Sequence, residues 1–181
     1  MNFLTRRLPP RTQILSVYAV LCCCIYSWSM LTIFWKLPSW IYNLTTDEII
    51  GLGAYAFTVN LLDSLFAMGL LLLLCWVLPA RFLKNDFVVR TSVLVVCILG
   101  AMMLHLYTYR YPDTLEIFAG VMQMWWGVSI LMLTFCLILA IKIRWIHKLI
   151  MDVADRLIIF IYIFLPLSLI SLAIVIVRNV F

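Results

Sequence analysis

Six side chains in this sequence could act together: Asn60, Asp63, His105, Arg110, Glu116 and Gln123. Asp63 is the one formal charge in the run "GAYAFTVNLLDSLFAMGLLLLLCW", Gly53 to Trp76. A carboxylate beside an imidazole can form an ion pair, pass a proton or hold an ion. Asn60 and Gln123 would add amides, Glu116 a second acid, and Arg110 a cation for an anionic group. Such a set suits an ion, a proton or a lipid headgroup. Two plainer roles stand beside it: helix packing or solvation from the outer interface, and a structural Asp63–His105 pair. The chain shows no nucleophile elbow, phosphate loop, HExxH or paired-carboxylate motif, which leans the reading away from an enzyme.

The elements that must position these groups are membrane helices. Hydrophobic residues make up 66% of the 181, and charged residues only 12%. That is about half the charge of a soluble domain, too little to cover a water-facing surface. Long uncharged runs lie between Arg11 and Lys36, Arg90 and Arg110, Glu116 and Lys142, and Arg156 and Arg178. Another, broken only by Asp63, lies between Glu48 and Arg81. A span needs about 20 apolar residues. The expected fold is all-α: one polytopic domain over 1–181, with five helices near 14–35, 54–78, 90–109, 117–141 and 157–177. A barrel is disfavoured, because "LLLLL" (Leu70 to Leu74) does not alternate in polarity.

Loop charges set the direction. Arg6, Arg7, Arg11, Arg81, Lys84, Arg90, Lys142, Arg144, Lys148 and Arg156 fall on one side, and only Lys36, Arg110 and Arg178 on the other. The positive-inside rule places the N-terminus in the cytoplasm and the C-terminus outside, in a plasma or inner membrane. Trp35, Trp40, Tyr42, Tyr107, Tyr109 and Tyr111 gather at the outer boundary, where amphipathic rings prefer to sit. The +5 net charge serves orientation and anionic headgroups, not nucleic acid, since the basic residues are scattered among loops. "LTRRLPPR" begins like a secretory signal, but a long apolar run and no small-residue cleavage site point to an uncleaved first helix.

Two loops carry structure of their own. In "KLPSWIYNLTTDEIIG", Lys36 to Gly51, Thr45 or Thr46 is the expected N-cap, with Asp47 and Glu48 leading into the second helix. "KIRWIHKLIMDVADR", from Lys142, alternates basic and apolar residues. It reads equally as an amphipathic helix along the headgroups or as extensions of the fourth and fifth helices.

Small and polar residues form stripes at helical spacing: Gly53, Ala56, Asn60, Asp63 and Ala67; Cys97, Ala101, His105 and Thr108; Glu116, Gly120, Gln123, Gly127 and Thr134; Ser168 and Ser171 beside Pro166. These stripes are expected to face one another, with leucine-rich faces toward lipid. Asp63 lies about 22 Å along its helix from Leu78, and His105 about 21 Å from Thr91. The second and third helices, joined by a short loop, are expected to be antiparallel neighbours. The six polar residues would then meet beneath the outer surface.

No cofactor or metal is expected. Cys22, Cys23, Cys24, Cys75, Cys97 and Cys136 all lie in spans and form no CxxC pair, so they read as small hydrophobes. His105 and His147 are the only histidines and fall at different depths, which disfavours haem.

The stretch "LHLYTYRYPDT", Leu104 to Thr114, follows the third of five helices. In that, and in topology, the chain resembles the transmembrane domain of lipoteichoic-acid-synthase-type enzymes. The resemblance implies a free-standing membrane anchor that guides a separate extracytoplasmic enzyme. From the residues alone, the leading expectation is a non-catalytic integral membrane protein, a subunit or scaffold of a larger assembly. Its partners would be the lipid bilayer and other membrane subunits or copies of itself. The alternative is a small transport or headgroup-binding protein using the outer cluster around Asp63 and His105.

Overall fold

The computed structural model describes residues 9–77, 86–108 and 115–180, with side chains except at 108 and 115–123. Five helices account for nearly all of them: α1 (Arg11–Asn43), α2 (Thr46–Val77), α3 (Phe87–Thr108), α4 (Leu115–Lys142) and α5 (Arg144–Val180). Each contains a stretch long and apolar enough to cross a membrane, and no described residue is in a strand. In hydrocarbon a helix satisfies its backbone groups internally, so apolar runs of this length fold this way.

Three helices run further than hydropathy alone indicates. α1 continues through Pro38 to Asn43. The expected outer loop is therefore mostly helix, with only Leu44 and Thr45 between α1 and α2. Proline removes one backbone donor, and a helix that continues past it near its end loses little. α2 starts on a capping box. Glu48 Oε2 accepts from the Thr45 N–H at 2.8 Å and from its hydroxyl at 3.0 Å, while Thr45 Oγ1 faces the Glu48 N–H at 3.4 Å. Thr45 is thus the N-cap.

At the other end, α5 begins at Arg144, so the basic–apolar stretch belongs to the fifth helix as an extension. Only Ile143 separates α4 from α5. Its N–H bonds to Leu139 O and its carbonyl accepts from His147, both at 3.0 Å. α5 is about 55 Å long, well beyond the ~30 Å of hydrocarbon.

α1 is the central helix. It packs on α2, α3 and α5, and α2 also lies against α5. α4 packs mainly on α3, with lesser contact to α5. Val17, Val20 and Leu21 of α1 meet Met68, Leu71 and Cys75 of α2, Phe87, Val88 and Val95 of α3, and Ala154 of α5. Tyr26, only 1% exposed, stacks on Phe164 of α5 with ring centroids 4.6 Å apart. Ser16 bonds to Asp155 toward one end of the bundle, and Tyr55 to Asn179 toward the other. α1 and α5 therefore run parallel, with α2 antiparallel to both.

Candidate functional site

α1 stands between α2 and α3, and this decides the fate of the expected polar cluster. α2 and α3 are not packed neighbours. Asn60 is buried on α2, while Asp63 is exposed on its outward face. Asp63 lies about 21 Å from Val77 and about 26 Å from Thr46, near the middle of the helix. It makes no hydrogen bond or ion pair with a described residue. His105 is half-buried on α3 and turns to α4, its ring 5.6 Å from that of Trp125. The Trp125 indole N–H bonds to Ala101 O at 3.2 Å, which fixes that ring beside the imidazole. Asp63 and His105 are not brought together. Arg110, and most of the aromatic stretch after α3, lie outside the described residues. Glu116 and Gln123 are on α4, but their side chains also lie outside them.

The rotation of α2 has a chemical cause. Its buried face is Gly51, Ala54, Thr58, Asn60, Leu61, Ser64, Met68, Leu71 and Cys75, which keeps Asn60 of the expected stripe and leaves out Asp63. Thr58 and Ser64 donate to the Ala54 and Leu61 carbonyls of their own helix, both at 2.9 Å. A hydroxyl satisfied this way is buried at little cost. A carboxylate cannot donate when ionised and needs a partner from elsewhere. The face with hydroxyls turns in and Asp63 turns out.

The bonds that tie the helices are made by other residues. Tyr26 and Ser168 share a buried hydrogen bond of 2.7 Å, and Tyr18 and Ser64 one of 3.2 Å. Ser16 donates to Asp155 at 2.8 Å, and Tyr55 to Asn179 Oδ1 at 2.9 Å. Of the expected inward residues, Ser168 and Ser171 are buried on α5. The tyrosines were legible only as aromatic bulk. Tyr18, Cys22 and Tyr26 recur every four residues, and that spacing is the signal that marks an inward face of α1.

Among the described residues, hollows open on the bundle surface. One of ≈ 400 Å³ is lined by Trp28, Leu31, Thr32, Trp35, Leu106 and Tyr107, and one of ≈ 160 Å³ lies beside His105 and Trp125. Another, of ≈ 520 Å³, lies between α1, α3, α4 and α5. Among the described residues no three His, Cys, Asp or Glu side chains gather to hold a metal, and all six cysteines are free thiols. No protein-family model, curated protein or solved structure matches this chain.

Proposed function

We propose that the chain is a non-catalytic subunit or scaffold of a larger membrane assembly, with the basic end of its bundle in the cytoplasm. The observation that carries this reading is Asp63, a carboxylate on the outward face of an apolar helix near mid-span. An acid at that depth costs about 3 kcal/mol on insertion scales. The surrounding leucines offset this, so α2 inserts, but among the described residues none pairs with the charge. A second membrane helix presenting a cation or hydrogen-bond donor would. The nearly bare flank of α4 supports the same reading, since packing there also awaits a neighbour.

The test is the mass of the full chain extracted in mild detergent, before and after Asp63→Leu. A complex larger than one chain, lost in the variant while the chain stays folded, is the expected result. A stable monomer in both forms would remove the proposal. The orientation is checked separately by labelling single cysteines placed near Arg11 and Val180 from each side of the membrane.

A further inference from the structure

The carboxylate of Asp63 is exposed on α2 among side chains that offer it only hydrocarbon. Val59, Phe66 and Leu70 share its face of the helix, each at least half exposed. The helix has 32 residues, about 48 Å in all, and Asp63 lies near its middle. One methylene gives an aspartate no reach toward the headgroups, whereas lysine and arginine have long stems for that purpose. Among the described residues Asp63 has no hydrogen bond or ion pair.

The chemistry of the missing neighbour follows from this. An ionised carboxylate only accepts hydrogen bonds, so whatever covers it must donate. A neutral amide or hydroxyl would donate and leave the net charge in hydrocarbon. An ammonium or guanidinium donates and cancels the charge as well. The benefit is mutual, because a basic side chain at that depth is as costly alone as the acid is.

A second copy of this chain is a poor source of the cation. The described Lys and Arg residues stand toward the ends of the bundle. Lys36 and Arg178 are at one end, and Arg11, Arg90, Arg156 and those from Lys142 to Lys148 at the other. Two copies joined through equivalent α2 faces would set Asp63 against Asp63, and like charges repel strongly where the dielectric is low.

We infer that the outward face of α2 docks a membrane helix of a different polypeptide, whose Lys or Arg meets Asp63 inside the bilayer. Val59, Phe66 and Leu70 pack around the pair and keep it dry. The pairing rests on the reading of this chain as a subunit, and it makes the assembly heteromeric, with an ion pair at the contact.

The full chain, labelled at its N-terminus with a donor dye, is reconstituted in phosphatidylcholine vesicles with a synthetic single-span helix. That probe is built of Leu and Ala, bears one Arg at its centre and carries an acceptor dye. Read by energy transfer, the Arg helix should associate about tenfold more tightly than the same helix with Leu at that position. Asp63→Asn, which keeps size and polarity, should abolish the difference, and Asp63→Glu should retain it. Equal association of the two probes, or a preference for Arg unmoved by Asp63→Asn, would overturn the inference. Native mass spectrometry of the complex extracted in mild detergent separates this pairing from the subunit reading. A second polypeptide, lost on Asp63→Asn, is the expected result. A complex made only of copies of this chain, or a heteromeric one that survives Asp63→Asn, overturns the ion pair and leaves the subunit reading standing. A monomer removes both.

Discussion

α1 and α4 are both apolar spans, yet one is enclosed and the other is nearly bare. In α1, 39% of the most apolar window is buried; in α4 the share is 6%. Hydropathy does not separate them. What separates them is the placement of groups that another helix can use. α1 carries Ser16, Tyr18 and Tyr26, which reach Asp155, Ser64 and Ser168 on two neighbours. On α4, Trp125 reaches Ala101 of α3, but Thr134 bonds only to its own helix, and the outward face is Met124, Val128, Leu131, Met132 and Phe135. Lipid tails compete equally well for such a face, so nothing holds a second helix there within this bundle.

The sharpest way to break the comparison is to strip α1 of its anchor. Tyr26→Ala removes a buried ring, its stack on Phe164 and its bond to Ser168 at once. The expected loss is about 3–4 kcal/mol of bundle stability, read by unfolding in mixed detergent micelles. If the loss is under about 1 kcal/mol, α1 is not the organising helix.

Asp63→Leu should have the next largest effect, in the opposite direction. Removing the exposed acid is expected to favour membrane insertion of an isolated α2 by about 3 kcal/mol, measured as glycosylation-reported insertion efficiency. Indifference would mean that the acid reaches water. Ser168→Ala should cost about 1 kcal/mol in the same unfolding measurement, since Tyr26 then loses its partner. Leu131→Ala or Met132→Ala on α4 should cost the isolated chain less than about 0.5 kcal/mol. A larger cost that appears only in the native membrane would show that α4 is covered there.

How much of this was legible in the sequence follows from the same contrast. The five spans were, because charges bracket them. The start of α2 was narrowed to Thr45 or Thr46 as its N-cap, and the bonds from Thr45 to Glu48 decide for Thr45. The rotation of α2 was not. Two stripes of small and polar residues overlap there, Gly51–Ala54–Thr58–Ser64 and Gly53–Ala56–Asn60–Asp63, and spacing alone ranks them equally; the first is buried, and of the second Asn60 is buried with it while Asp63 is not. Only the chemistry of satisfaction separates a self-bonding hydroxyl from a carboxylate. The neighbour order was hidden as well. A short connection between α2 and α3 reads as direct packing, but α1 takes the place between them, and His105 consequently meets Trp125.

The link from Ser16 to Asp155 and from Tyr26 to Ser168 joins α1 to α5, which follows it in the chain after three other spans. Synthesis proceeds from the N-terminus, so α1 enters the bilayer well before α5 exists. Its two hydroxyls must wait through three intervening spans for their acceptors. Closure of this bundle therefore follows the synthesis of α5, and a nascent chain arrested before Arg144 would lack both bonds.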